Sequence, residues 1–245
     1  MRLVVLALLL ALSPTVNAAK KDLTVAESYE LGQKYAKRGY YVKALEEFNR
    51  IRNYHRDDPF AVKAELAIAD VYFKKAEWDQ ARVAYEDFMR MHPRHEDLHY
   101  VIYRLGLTAW KKAPRIAARD QTWTRQALNA WSPFASRYQS SDESAHFDEV
   151  MEYMAKCEAR LAHKELIIGR FYLRQESWLA AASRMETLLQ RYPDAPDAPD
   201  ALGELAWAHH ELGDTDLASE VAQRLRTDHP DHRAVDRLER RAPGL

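Results

Sequence analysis

Two histidines and a glutamate near the middle of the chain match the spacing of a zinc protease motif. The stretch reads His95-Glu96-Asp97-Leu98-His99. On one helix this spacing places two imidazoles on the same face, beside a carboxylate that serves as general base. However, Pro93 and Arg94 precede the stretch and favour a turn, and no third ligand follows at a recognisable spacing. A zinc metalloprotease is therefore a remote alternative, and we predict no metal, no cofactor and no catalytic residue.

A row of lysines is a second candidate for chemistry. Lys37, Lys74 and Lys111 recur at intervals of 37 residues, each in a stretch that also carries aromatic residues. Such a row would suit an extended peptide that ends in an aromatic residue and a carboxylate, by charge and by apolar burial together. The alternative is that each lysine lies at a helix C-terminus and stabilises the helix dipole. The sequence leaves both interpretations open.

The elements that must position these residues are helical hairpins, most clearly seen from Glu165 to Pro193. Gly169 and Ala181 are small at the two places where a tetratricopeptide (TPR) repeat brings its paired helices into contact. Large residues flank both positions, and Pro193 ends the unit. One such hairpin cannot bury its apolar faces alone, so it requires neighbouring repeats.

The same order of large and small residues occurs five times along the chain. The small positions are Gly32 and Ala44, Ala69 and Ala81, Gly106 and Ala127, Gly169 and Ala181, and Ala206 and Ala218. A polar loop at residues 111–120 expands the third repeat, and an overlong helix, capped at residues 140–143 and ending near Gln175, opens the fourth. With only seven glycines and no strand pattern, the sequence predicts an all-α, right-handed superhelix of about five TPR hairpins.

In a TPR superhelix the first helix of each repeat lines the concave face, which predicts a peptide-binding groove in the first three repeats. Its residues are Tyr29, Gln33 and Lys37 in the first repeat, Leu66, Asp70, Phe73 and Lys74 in the second, and Tyr103, Leu107, Trp110 and Lys111 in the third. We assign residues 19–139 to these repeats, residues 140–230 to repeats four and five, and residues 231–245 to a charged C-terminal tail that covers the last apolar face.

The N-terminus has the pattern of a secretory signal peptide. Arg2 precedes a ten-residue apolar run, and Val16-Asn17-Ala18 carries the small residues that signal peptidase recognises. Residues 1–18 are therefore predicted to be a signal peptide, because ten residues are too few to span about 30 Å of hydrocarbon as a helix. Cys157 is the only cysteine and is expected to be a small buried side chain. The net charge of −1 does not favour nucleic acid as a partner.

The irregular repeats resemble those of the BamD family, the TPR subunits of the outer-membrane β-barrel assembly machine. The likeness covers about residues 24–228, and residues 85–106, 119–138 and 171–195 carry it. The resemblance implies a non-enzymatic periplasmic adaptor at the inner face of the outer membrane. Its C-terminal repeats would bind a periplasmic domain of the barrel-forming insertase, with Arg184 as a contact residue. Its N-terminal repeats would bind C-terminal segments of unfolded barrel clients, and other subunits of the machine would be further partners.

The chain departs from that family near its N-terminus. Members of the family are usually lipoproteins acylated on a cysteine that follows the signal peptide, whereas no cysteine stands near residue 18 here. We therefore expect the chain to associate with the membrane indirectly, through a partner. The alternative function is a periplasmic TPR adaptor of envelope or cell-division coordination. Proteins of that class tend to carry coiled-coil heptads before their repeats, and we find none in this sequence.

Overall fold

The computed structural model describes residues 23–138, 140 and 144–245, and the predicted signal peptide lies outside these ranges. The described part is all-α, as predicted, and none of its residues belongs to a β-strand. Its helices are α1 Val25–Lys37, α2 Tyr41–Tyr54, α3 Pro59–Lys74, α4 Trp78–Met91, α5 Leu98–Lys112, α6 Thr122–Arg137, α7 Phe147–Arg174, α8 Trp178–Arg191, α9 Ala198–Leu212, α10 Thr215–Asp228 and α11 Arg233–Arg241. Consecutive helices pack against each other, which confirms a chain of helical hairpins.

The two predicted irregularities of the repeat array are both present. Nine residues, 113–121, separate α5 from α6, whereas three to six residues separate consecutive helices from α1 to α5. Helix α7 has 28 residues, twice the length of its partner α8, which has 14. The third repeat is therefore expanded and the fourth opens with an overlong helix. The right-handed sense of the superhelix stays a prediction.

Local capping sets the first helices where the sequence predicts them, but not the start of α7. Thr24 and Glu27 form a reciprocal capping box on α1, and Asp58 caps α3, which begins at Pro59. Helix α7 begins at Phe147, so the predicted cap at residues 140–143 was wrong, although residues 141–143 lie outside the described ranges. His146 is the N-cap residue and makes no side-chain capping hydrogen bond, while the Ser144 hydroxyl accepts a hydrogen bond from the His146 N–H at 3.2 Å in the turn before the helix.

Glycines at the helix crossings allow a large side chain of the paired helix to lie against the backbone. A Cβ atom added at Gly106 would lie 2.1 Å from the Trp131 indole. The same atom added at Gly32 would lie 2.6 Å from the Phe48 ring. These contacts confirm that the small positions are where paired helices touch, and they explain why the hairpins pack closely.

Buried side chains form a series of clusters, each shared by neighbouring helices, as expected of a repeat array. Cys157 belongs to the cluster around α5, α6 and α7 and is fully buried, as predicted. Burial raises the pKa of its thiol to about 12, so the group stays protonated and acts as an apolar filler. Among the described helices, none combines the length and the apolar character needed to cross a membrane.

Helix α11 covers the open end of the fifth repeat. Its residues Ala234 and Leu238 are buried against a cluster that includes Leu202 of α9 and Leu225 of α10. Helix α11 also carries arginines that reach two buried carboxylates of α9, described below. The charged tail therefore contains a docked helix that ends the array.

Candidate functional site

The three lysines of the predicted groove lie at the ends of the first helices of their repeats. Lys37 ends α1, Lys74 ends α3, and Lys111 is the penultimate residue of α5. All three side chains are exposed, and none forms an ion pair with any described residue. The lysine next to Lys111 in the sequence differs in this respect, since Lys112 forms an ion pair with Asp79 at 2.6 Å. The row is therefore accessible to a ligand.

The α1 part of the predicted groove forms one depression. The Gln33 amide donates a hydrogen bond to the Tyr29 hydroxyl at 3.0 Å, and both residues line a 400 Å³ depression together with Lys37. The Tyr29 ring rests on the Phe48 and Phe60 rings, with centroids 5.5 and 5.2 Å away. Tyr29 and Lys37 thus line the same depression, and the peptide-binding role stays a prediction.

The α3 part of the predicted groove is occupied by side chains of the chain itself. Asp70 accepts hydrogen bonds from the hydroxyls of Tyr85 at 2.6 Å and Tyr100 at 2.8 Å. Burial, and after it the Asp70 carboxylate, raise the pKa of both tyrosines, so their hydroxyls remain protonated donors. The Arg104 guanidinium lies 3.8 Å from Asp70 and 3.5 Å above the Phe73 ring. Asp70 and Phe73 are therefore already in contact with Arg104 of α5 within the protein itself.

The aromatic residues predicted on α5 contact the overlong helix α7 and the turn before it. The Tyr103 ring stacks on His146 with centroids 4.3 Å apart, and its hydroxyl donates to Glu149 at 2.8 Å. The Trp110 ring lies beneath the Arg160 guanidinium at 4.2 Å. In the remaining two groove positions, Leu66 is partly buried, and Leu107 is only 5% exposed and belongs to the core, so its placement in the groove was wrong.

A second polar contact repeats the Asp70 arrangement with the charges exchanged. Arg170 of α7 forms ion pairs with Asp200 at 3.1 Å and with Glu204 at 3.0 Å. These partners lie 30 and 34 residues after Arg170, and Tyr100 and Arg104 lie 30 and 34 residues after Asp70. Sequence reasoning missed both contacts. The one signal in the sequence is that complementary polar side chains recur at these two offsets.

Three arginines of α11 bind the same two carboxylates. Arg237 lies 3.0 Å from Asp200, Arg241 lies 2.6 Å from Glu204, and Arg233 approaches Asp200 at 3.4 Å. Burial acts to raise the pKa of Asp200, but Arg170 and Arg237 hold it below its ordinary value, so the carboxylate is ionised. Asp200 and Glu204 are almost completely buried, and both are fully paired.

The predicted insertase contact, Arg184, lies at the exposed edge between α7 and α8. Its guanidinium donates to Glu165 at 3.2 Å, and its side chain is 42% exposed. This ion pair is of the surface type, worth less than about 1 kcal/mol to folding. Arg184 is therefore positioned by Glu165 and still accessible to a carboxylate on another protein.

The zinc motif does not form. Helix α5 begins at Leu98, so His95 lies in the preceding turn and does not share a helical face with His99. The His95 Nδ1 accepts a hydrogen bond from the Asp97 N–H at 3.1 Å, and His99 stacks on His146. In the described ranges no group of three or more metal-ligating side chains comes together. His95 and His99 therefore do not have the arrangement on one helix that the metalloprotease alternative requires.

Comparison with known proteins decides the family. The family model YfiO, described as an outer membrane lipoprotein, matches residues 21–225. The chain belongs to the YfiO family. Several bacteria have relatives of this YfiO-family chain, and these relatives are named outer membrane protein assembly factor BamD. One from Xylella fastidiosa is 27% identical, over 89% of this chain and 76% of the relative. Another from Neisseria meningitidis serogroup A is 25% identical, over 92% of this chain and 89% of the relative.

The names of these relatives confirm the resemblance to BamD. They describe an assembly factor, and the YfiO family is non-enzymatic, as expected for this chain. Among solved structures, the chain is similar to the TPR2AB domain of yeast Sti1, with a TM-score of 0.44, 15% identity, and coverage of 88% of this chain and 83% of that one. It is also similar to the TPR protein YrrB, with a TM-score of 0.40, 14% identity, and coverage of 89% and 92%.

Proposed function

We propose that this YfiO-family protein is a periplasmic adaptor in the assembly of outer-membrane β-barrel proteins. The family match over residues 21–225 carries the proposal, because assembly is the function that the relatives' names state. The helical hairpins supply surfaces for other polypeptides, as in repeat proteins generally. The adaptor works at the inner face of the outer membrane, through contacts with other subunits of the assembly machine.

The N-terminal repeats hold the C-terminal segment of an unfolded barrel client. The support is the lysine row, because Lys37, Lys74 and Lys111 are exposed and make no ion pair in the described part of the chain. An ammonium group of the row binds the client's terminal carboxylate, and the surface beside Tyr29 accepts an apolar side chain. Asp70 and Phe73 support the groove from within, since α5 covers them.

Reversal of one charge in the row tests the groove. We expect Lys74→Glu to weaken binding of a peptide with a C-terminal aromatic residue and a free carboxylate about tenfold, the loss of roughly one charge-assisted hydrogen bond. Isothermal titration calorimetry measures this affinity. Lys43→Glu, an exposed residue of the second helix α2, is the matched control and should bind normally. Equal affinity of Lys74→Glu and the unsubstituted protein would refute the lysine row.

The C-terminal repeats dock the periplasmic domain of the barrel-forming insertase, with Arg184 as a contact. We expect the insertase to co-purify with this protein from an envelope extract, and Arg184→Glu to abolish the capture. Because that substitution also places two carboxylates together, Glu165→Gln is the control that removes the internal pair and keeps the guanidinium. Glu165→Gln should retain capture. Recovery of cell-division proteins without the insertase would favour the alternative adaptor function.

A further inference from the structure

A small cavity lies between α7, α9 and α11, outside the predicted groove, and Arg184 is not among its lining residues. It has a volume of 210 Å³. Its lining consists of Arg170, Leu173, Arg174, Glu204, Trp207 and Arg241. Three guanidinium groups therefore face one cavity that contains a single carboxylate and one large aromatic ring.

The local charge around this cavity does not balance. The groups are five arginines, Arg170, Arg174, Arg233, Arg237 and Arg241, and three carboxylates, Asp200, Glu204 and Glu211, the last of which accepts a hydrogen bond from the Trp207 indole at 3.0 Å. Both oxygens of Glu204 are engaged, since Oε1 accepts from Arg170 and Oε2 accepts from Arg241. Arg174 is exposed and makes no ion pair with any described residue. The internal carboxylates therefore leave an excess of positive charge at the cavity.

The donors at the cavity are held in place before any ligand arrives. Arg170 is fixed by Asp200 and Glu204, and Arg241 is fixed by Glu204 and by the Trp207 ring, which lies 4.3 Å from its guanidinium carbon. The side chains of Arg170 and Arg241 are 32% and 39% exposed. Guanidinium groups carry five N–H donors in a fixed fork, so each keeps donors beyond those that Glu204 and Asp200 use.

We propose that this cavity is a binding site for an acidic side chain of a partner polypeptide. Arg174 and the remaining donors of Arg170 and Arg241 bind the carboxylate, and the side-chain methylenes lie against Trp207 and Leu173. An aspartate- or glutamate-rich segment fits better than an isolated small anion, because the cavity walls offer apolar surface as well as charge. The proposal does not depend on the client groove or on insertase docking.

A titration with oligoglutamate tests the site. We expect oligoglutamate to bind, oligoglutamine of equal length not to bind, and Arg174→Ala to weaken the oligoglutamate affinity about tenfold. Arg174 has no internal partner in the described part of the chain, so its removal should leave the fold intact. Arg174→Lys, which keeps the charge but not the fork, should recover part of the affinity. Arg94→Ala, which removes an exposed arginine in the turn before α5 and outside both proposed sites, is the matched control and should bind like the unsubstituted protein.

Three outcomes would overturn the proposal. Equal binding of oligoglutamate and oligoglutamine would show that charge is not recognised, and equal affinity of Arg174→Ala would show that the ligand binds elsewhere. Inorganic phosphate that competes at the same concentration of charge would identify a site for small anions. The site also predicts that oligoglutamate changes the tryptophan fluorescence, and that Trp207→Phe removes this change while binding persists.

Discussion

Gly106→Ala is expected to lower the free energy of unfolding by about 3 kcal/mol, the upper end of the usual cost of overpacking. The new methyl group would lie 2.1 Å from the Trp131 indole, which is fully buried and rigid. The indole N–H also donates to the Tyr103 carbonyl at 3.1 Å, so moving the ring strains or breaks this hydrogen bond. Urea unfolding followed by circular dichroism measures the loss.

A second glycine provides a matched control for this prediction. At Gly169 an added Cβ would lie 2.5 Å from the Met185 methyl group, the end of a flexible side chain. Methionine adapts to irregular space, so Gly169→Ala should destabilise by about 1 kcal/mol or less. If the two variants unfold at the same urea concentration, the rigid contact between Gly106 and Trp131 is not what sets the helix spacing in the third repeat.

Glu204→Ala is expected to cost about 3 kcal/mol and to release α11. Removing one partner of a buried ion pair typically costs about 3–5 kcal/mol, and we take the lower end because the arginines retain partial access to water. Glu204 is 3% exposed and binds Arg170, Arg237 and Arg241 at once. Without it, three guanidinium groups lose a shared acceptor, and the apolar contact of α11 is small.

Limited proteolysis with trypsin measures the release, because α11 carries several arginines that a docked helix protects. Cleavage within residues 233–241 should become fast in Glu204→Ala, while the repeats before α11 remain protected. Glu220→Ala, which removes an exposed carboxylate of α10, is the control and should leave the cleavage pattern unchanged. Unchanged protection of α11 in Glu204→Ala would show that Ala234 and Leu238 suffice to hold the helix.

Much of the fold could be predicted because its signals are local. Small residues at Gly32, Gly106 and Gly169, together with caps at Thr24 and Asp58, determine where helices begin and where they touch. The expanded third repeat and the long α7 follow from the same spacing. The predicted start of α7 was wrong because residues 140–143 match a capping pattern, whereas the helix begins at Phe147 without a side-chain cap, after a turn in which Ser144 bonds to the His146 N–H.

The candidate site likewise combines a feature that the sequence shows with contacts that only the structure shows. By itself the sequence determined the lysine row, because Lys37, Lys74 and Lys111 recur at one constant interval near equivalent helix ends. Only the tertiary structure decided that Asp70 is covered by Arg104 and that Arg170 shares Glu204 with α11. Such contacts depend on how neighbouring repeats rotate against each other and on which of several charged side chains reaches a buried partner. The distances between these side chains are set by packing between repeats, which no short stretch of residues encodes.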